Sequence, residues 1–514
     1  MGLAGAAIDT KVASFAHIQN GANKYWWLDP GLRWNVIHCI GLCGTLFFNG
    51  YDGSLLNGLQ SIDAWQEYFN HPSSNTLGLM TSAAYFPGLV SSFLADFAAQ
   101  RYGKRLVVWI CSAFAIAGAL LISLSTHSSM FIGGRALLGF GVQGSLVVAA
   151  PLLQEIAHPR YRAKMGAFYM AAWYIASLLS AIICRGCLNL SGNKAWRIPC
   201  FFMIVGPAFT ILATLNMMES PRWLVKRDEV DKARTVLARY HANGNVDDPL
   251  VLYEMREIQE ALREEVIHAQ ISYLDFLRTK ANRHRILIVI VTAIGTAWAG
   301  NSIISFYLSP ILDSLGIKET AQQLDILIGM NAWNFVVSVL ASLAVDRAGR
   351  RPLWLSSTAG CFVCMVIVMG LSAGYAEFGL LSAGTATIPF LFIFFGFYDL
   401  AWTVLSYSYP VEILTFSMRT KGQAIFVWTQ TAALAITTWA NPVALTSLHW
   451  KYYSVFIAIL FVIFVIIYFF YPETRNLTIE EIAVVFDGDE ALKIIDVTRE
   501  GKETELQMQI SHIE

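Results

Sequence analysis

The chain has 514 residues, of which 55% are apolar and only 14% charged. Soluble proteins average about 25% charged residues, so much of this chain must lie where charge is not tolerated. The net charge of −1 gives no electrostatic basis for a nucleic acid or a strongly acidic partner, and the polar segments hold no glycine-rich nucleotide loop, metal-ligand cluster or nucleophile constellation, which argues against an enzyme and against any cofactor.

Residues 1–33 read as a cytosolic N-terminal tail: Lys11, Lys24 and Arg33 are present, but no cleavage pattern follows a short apolar core. Apolar stretches of about 20 residues, the length that crosses a bilayer, then recur. The first six lie near 34–58, 77–99, 106–125, 130–154, 165–188 and 198–217. Six more lie near 285–312, 323–346, 353–374, 384–409, 422–446 and 453–471. Each must be helical, because backbone groups in lipid are satisfied only within the segment. Between the two sets, 218–284 carries VDKARTVLARY and VLYEMREIQEALREEV, with apolar residues at three- and four-residue spacing. That pattern, dense in both charge signs, predicts a cytosolic linker of amphipathic helices. Residues 472–514 form a cytosolic C-terminal tail.

Eight cysteines fall almost entirely inside the apolar runs. Cys184 and Cys187, like Cys361 and Cys364, have metal-ligand spacing, but neither pair has a His or Cys nearby to complete a site. Buried free thiols are expected, and no metal.

Charge orients the spans. Short connections hold Arg101, Lys104 and Arg105; Arg160, Arg162 and Lys164; Arg347, Arg350 and Arg351; and Arg419 and Lys421. The opposite loops carry Asp63, Glu67, Asp313 and Glu377 instead. The positive-inside rule puts both termini in the cytoplasm. Asn189, in an Asn-Leu-Ser sequon, then falls on the outer side as a glycosylation candidate.

The two sets echo each other. RYGKR at 101–105 answers RAGRR at 347–351, and Glu155, Arg162 and Lys164 recur at the same offsets as Glu412, Arg419 and Lys421. This repeat predicts an all-α membrane protein of twelve transmembrane helices in two pseudo-symmetric six-helix bundles, 34–217 and 285–471, with a solute site near mid-membrane.

RAGRR preceded by Asp346, ESPRWL at 219–224, EIAHPRYRAK at 155–164, PVEIL at 410–414 and PETRNLTIEE at 472–481 together resemble the sugar porter family of the major facilitator superfamily. YDGSLLNG at 51–58, AGNSIISFYL at 299–308, YDLAWT at 398–403, NPVAL at 441–445 and WKYY at 450–453 resemble its fungal lactose-permease and cello-oligosaccharide branch. The resemblance implies the major facilitator fold and a proton symporter that imports a sugar, such as the disaccharides lactose or cellobiose, by alternating access. It also implies a fungal plasma membrane and a monomer as the working unit.

Asp52 lies inside the first span and Arg135 inside the fourth. A charge at the bilayer centre costs about 2.5–3.5 kcal/mol, so the two are expected to pair. The cation favours the ionised carboxylate, and withdrawing it favours a proton on Asp52. The alternative is a static pair that holds two helices together. The resemblance implies proton coupling, because symporting sugar porters carry an Asp at this GYD position and an Arg at this GR position.

On the cytosolic side Arg101, Arg162, Arg350 and Arg419 can bridge to Glu155, Glu219, Asp346, Glu412 and Glu473, and pairs among them are expected to gate the inner end, the alternative being that they only stiffen the loops. The first half departs from the family pattern: Gln100 stands where an Asp precedes the arginine motif, with Asp96 one turn earlier.

Sugars are held by amides, hydroxyls and aromatic faces. Inside the spans these include Gln143, Trp173, Tyr174, Asn301, Ser302, Tyr307, Asn331, Asn334, Trp402 and Asn441. The resemblance favours Asn301, Trp402 and Asn441. Asp399 is a second intramembrane acid, either a helix-pairing group or a second titrating site. Met170, Ala297, Thr437 and Thr438 replace polar groups usual in the family, which leaves open a non-sugar solute: a glycoside, a polyol, a quinate-like acid or a secondary metabolite. A sugar sensor that does not transport is the third possibility.

Overall fold

The computed structural model describes residues 25–487 except 269–271, 416, 417, 476 and 478, and its regular structure among these is helical throughout. The helices start where the sequence supplies a cap. α1 (Pro30–Ser61) opens on Asp29, whose Oδ1 accepts the Leu32 N–H at 3.0 Å, with Pro30 at the first helical position. α2 (Ser74–Tyr102), α3 (Lys104–Ser123) and α4 (Ser128–Ile156) follow. α5 (Pro159–Cys187) repeats the device, with His158 Nδ1 accepting the Arg160 N–H at 3.2 Å. α6 (Lys194–Thr214) completes the first set. α7 (Val230–His241) and α8 (Pro249–His268) form the linker.

The second set begins with α9 (Lys280–Trp298), α10 (Asn301–Ser314), α11 (Thr320–Ala348) and α12 (Arg350–Phe378). α13 (Leu381–Tyr398) passes through a π-helical turn at Asp399–Thr403 into α14 (Leu405–Ile413). α15 (Arg419–Leu448), α16 (Tyr453–Phe470) and α17 (Ile479–Asp487) close the described chain.

Ten helical stretches among the described residues are long and apolar enough to cross a membrane. α1 falls below that apolarity because it carries Asn49, Asp52, Asn57 and Gln60. The stretch Lys421–Phe470 holds two helices, α15 and α16, turned at His449–Tyr452. With both taken into account, the twelve expected spans are present. The cysteines are free and buried, and Asn189 is exposed just beyond α5.

The chain forms two compact units. One comprises Met1–Ile267, Ile303–Phe335 and Leu434–Ser447; the other comprises His268–Ser302, Val336–Ala433 and Leu448–Glu514. The core of the first is built from Cys39, Leu42, Val108, Leu152, Ile156 and Ala172, where α1, α3, α4 and α5 meet. The linker adds its own small core, with Val236, Leu237 and Tyr240 of α7 against Val251 and Met255 of α8. This is the apolar face that the three- and four-residue spacing predicts. In the second unit Trp354 is fully buried, its ring 4.8 Å from Trp402, 6.0 Å from Tyr409 and 5.8 Å from Tyr471. α17 docks on α9 through buried Arg285, whose Nη1 and Nη2 reach the two oxygens of Asp487 at 3.1 and 2.7 Å.

Candidate functional site

Asp52 and Arg135 meet in an ion pair inside the first unit, the carboxylate accepting from Nη1. Asp52 is 8% exposed and Arg135 4%. The remaining guanidinium donors are also engaged: Nε donates to the Met80 carbonyl at 3.0 Å and Nη2 to the Thr81 carbonyl at 3.3 Å. Those carbonyls are free because α2 is interrupted by a turn at Ala83 and Ala84, where helical N–H partners are missing. Leu55, Leu56, Leu59, Ile122, Phe131 and Met203 line a small cavity with the pair. The expected pairing therefore exists, in an apolar setting that strengthens it.

A second set of contacts within the same unit is made by Asn57 and Gln60, which were not singled out from the sequence. α10 breaks at Tyr307 (φ −137°, ψ 34°), which leaves backbone groups without helical partners. Asn57 supplies them from α1: its Nδ2 donates to the Ser305 carbonyl at 2.9 Å, and its Oδ1 accepts the Leu308 N–H at 3.1 Å. Gln60, one turn on, donates to the Phe306 carbonyl at 2.9 Å. Asn331 of α11 donates to Ser54 Oγ at 3.0 Å and to the Ser177 carbonyl at 3.1 Å. The signal was present in the sequence as two amides three residues apart on an already polar span.

The sequence-derived solute candidates divide between the units. In the first, Gln143 packs over Gly88, and Trp173 and Tyr174 stack edge-on at 5.0 Å, both partly exposed. Tyr307 is buried and donates to the Thr438 carbonyl, and Thr437 donates to Asn441 Oδ1 at 3.4 Å. Asn334 Oδ1 is buried without a hydrogen-bond partner. In the second unit Asn301 Oδ1 and Trp402 Nε1 are buried without partners, whereas Ser302 is used internally, donating to the Ala297 carbonyl at 2.7 Å. Asn301, Asn334 and Trp402 thus hold unspent polar atoms, and Ser302 and Tyr307 serve the backbone. Met170 is 55% exposed.

At the linker end, the repeat seen in the sequence becomes a repeat of contacts. Glu219 accepts the N–H of Lys104 at 3.0 Å and of Arg105 at 3.2 Å, capping α3 after Gly103 (φ +104°). Glu473 accepts the N–H of Arg350 at 2.9 Å and of Arg351 at 3.0 Å, capping α12 after Gly349 (φ +89°). Glu155 pairs with Lys104 Nζ at 2.6 Å and accepts from Ser220 Oγ at 2.6 Å. Glu412 pairs with Arg350 at 3.4 Å and accepts from Thr474 Oγ1 at 2.7 Å.

Arg162 and Arg419 also correspond, each donating to a carbonyl five residues back, Ala157 at 3.4 Å and Leu414 at 3.3 Å. Arg162 meets Glu254 of α8 at 3.5 Å. Arg101 is exposed, with no carboxylate within 4 Å among the described residues. Asp96 accepts from Gln100 Nε2 at 2.8 Å, so it serves its own helix. The side chains of Asp346 and Arg347 lie outside the described residues.

Residues 36–486 match the sugar (and other) transporter family. The chain belongs to this family. Similar proteins include the MFS-type transporter oryC of Aspergillus oryzae, 27% identical over 460 residues, which covers 87% of this chain and 84% of that one. The high-affinity glucose transporter of Kluyveromyces lactis is 24% identical over 467 residues, again with 87% and 84% covered. Among solved structures, the inward open conformation of the xylose transporter XylE from E. coli superposes with a TM-score of 0.71 at 20% identity, covering 88% of this chain and 99% of that one. The fold is therefore the major facilitator fold, and this family member is a multi-pass membrane transporter rather than an enzyme.

Proposed function

We propose that this transporter is a proton symporter that carries a sugar, such as lactose or cellobiose, into the cell by alternating access. The observation that carries the reading is the buried Asp52–Arg135 pair, with every other guanidinium contact made to the backbone of α2. An intramembrane acid whose charge depends on one movable cation takes up a proton when that cation withdraws. Protonating Asp52 removes the tie between α1 and α4, so proton binding and helix movement are one event. Import would draw about 2.3 kcal/mol per elementary charge from each 100 mV of potential.

The sugar assignment is supported by the family and by relatives named as glucose and sugar transporters. Gln143, Trp173, Tyr174, Asn301, Asn334, Trp402 and Asn441 are the proposed solute ligands. In this reading both termini and the 218–284 linker are cytoplasmic, the bundles are 34–217 and 285–471, the membrane is the fungal plasma membrane, and a monomer suffices. Arg162, Glu155, Glu219, Arg350, Glu412 and Glu473 form the inner gate.

A second reading, a non-sugar solute, is favoured by Met170 and Ala297, which put a thioether and a methyl where sugar ligation needs amides. Medium alkalinisation on adding mono- and disaccharides to hexose-transporter-deficient yeast expressing this chain separates the two. A sugar-dependent signal that Asp52→Asn abolishes is the expected result. An equal signal in Asp52→Asn removes the coupling role, and silence with the protein at the cell surface moves the assignment to the non-sugar solute.

A further inference from the structure

The second unit buries an acid that no ion pair among the described residues accounts for. Asp399 is 3% exposed at the first position of the π-helical turn. Its Oδ1 accepts from Thr403 Oγ1 at 2.5 Å, and its Oδ2 has no hydrogen-bond partner. Asp52, in the other unit, has Arg135; Asp399 has one hydroxyl.

The groups on every element packed against the turn are committed elsewhere, exposed at a helix end, or carry no charge. From α12 the nearest titratable side chain is the buried thiol of Cys361, which points to the Phe394 carbonyl at 3.8 Å. The α12 arginines lie at its start, about 16 Å along the helix from Cys361, with Arg350 on Glu412 and Arg351 on the Tyr468 carbonyl. On α9, His284 meets the Phe470 carbonyl, Arg285 meets Asp487, and Lys280 is exposed at the helix start. Tyr398 of α13 donates to the Thr296 carbonyl, and Tyr407 and Tyr409 of α14 donate to Gln430 and the Pro472 carbonyl. Among the described residues no group of metal-binding side chains is present to replace a cation.

A carboxylate sealed from water with a single donor is the costly form of this side chain, and the neutral acid is the alternative that the surroundings accept. π-Helical turns inside α-helices recur at functional sites because the widened turn frees a side chain from its helical register. We infer that Asp399 is a second proton-binding site of this transporter, with the proton on Oδ2 and Oδ1 held by Thr403. Binding adds one proton and forms one O–H bond, which leaves the site uncharged. The site stands whether or not Asp52 couples transport.

The test is infrared spectroscopy of the full-length protein in lipid at neutral pH, in H2O and in D2O. The expected result is a carbonyl stretch of a protonated carboxylic acid that moves in D2O, persists in Asp52→Asn and is lost in Asp399→Asn. A band unchanged in Asp399→Asn, or no such band in the wild type, overturns the inference. Thr403→Val covers the case in which Asp399→Asn does not fold. It removes the only hydrogen bond to the acid among the described residues and should shift the band towards that of a free carboxylic acid, and an unmoved band again overturns the inference. The readout requires no transport, so it stays decisive if the symport reading fails.

Discussion

Glu254 of α8 and His241 of α7 meet at 2.6 Å, both almost completely buried. The other imidazole nitrogen faces the Ile156 carbonyl at 3.1 Å, at the end of α4. The second Glu254 oxygen faces Arg162 of α5 at 3.5 Å. One linker carboxylate thus joins the two linker helices to each other and to an arginine proposed for the gate.

Glu254→Ala should destabilise the folded protein by about 3 kcal/mol, because removing one partner of a buried charged contact strands the others. Thermal unfolding in detergent, followed by tryptophan fluorescence, reads this directly. A double-mutant cycle with His241→Ala should show a coupling of at least about 0.5 kcal/mol, and strict additivity would mean that the pair contributes nothing jointly.

His158 gives a pH dependence with a defined sign. Burial, reinforced by His241, Arg160 and Arg162, pushes its pKa from 6.5 down to about 3. Below pH 6.5 the unfolded chain therefore binds a proton that the folded chain refuses. This contribution to stability is fully present above that pH and declines on acidification towards pH 3, by at most about 1.4 kcal/mol per pH unit. His158→Asn keeps an acceptor for the Arg160 N–H and removes the titration, so its stability should fall less steeply between pH 6.5 and 5. Parallel curves would assign the acid sensitivity to another group.

At the buried pair, Arg135→Ala should be worse than Asp52→Asn. The first strands a buried carboxylate, at about 3–5 kcal/mol, and the second leaves an amide that still accepts from Arg135. Asp52→Asn should retain solute exchange across vesicles while losing uptake driven by a pH gradient. Concentrative uptake surviving in Asp52→Asn would place the coupling elsewhere.

Gly103→Ala should destabilise by about 1–3 kcal/mol from its backbone alone, whose positive φ with an extended ψ of 151° is a glycine conformation, and the new Cβ would also meet Glu219 Oε2 at 2.5 Å. Gly349→Ala meets Glu473 Oε2 at 2.9 Å and should be the milder change. Thermal unfolding of the two variants side by side gives the order, and a reversed order would show that the Glu219 carboxylate yields to a new methyl more easily than the Glu473 carboxylate does.

Asn57→Ala removes the partners of the Ser305 carbonyl and the Leu308 N–H at the broken turn in α10. Two stranded backbone groups predict a loss of about 2 kcal/mol or more and faster hydrogen exchange at Leu308. Unchanged exchange there would mean that the kink at Tyr307 supports itself.

The spans were legible because lipid demands long apolar runs, and the Asp52–Arg135 pair because charge inside such runs is rare enough to require a partner. The duplicated loops were legible from RYGKR and RAGRR, but the roles of Glu219 and Glu473 were not. Both looked like partners for arginine side chains, whereas they accept backbone N–H groups, a choice made by the position of Gly103 and Gly349 in three dimensions. Glu254 was hidden among Glu257 and Glu260 on an amphipathic helix, and only the docking of α8 distinguishes it. The break at Tyr307 has a marker in Pro310, which lacks the N–H for the Phe306 carbonyl and crowds it, but nothing in the sequence shows that Gln60 takes that carbonyl. The segment Asp-Leu-Ala-Trp-Thr holds neither glycine nor proline, so nothing in its composition announces a widened turn.

That widened turn also sets a phase. An α-helix advances about 100° per residue, so the extra residue in 399–403 rotates all that follows in α14 relative to α13. Deleting one residue there would give a more regular rod and a misaligned one. Tyr409 would swing away from the Pro472 carbonyl that it reaches at 2.7 Å, and Glu412 would lose both Arg350 and Thr474. The bulge works as a spacer that keeps the two ends of one rod facing their separate neighbours, and the length of this segment is therefore as constrained as its composition.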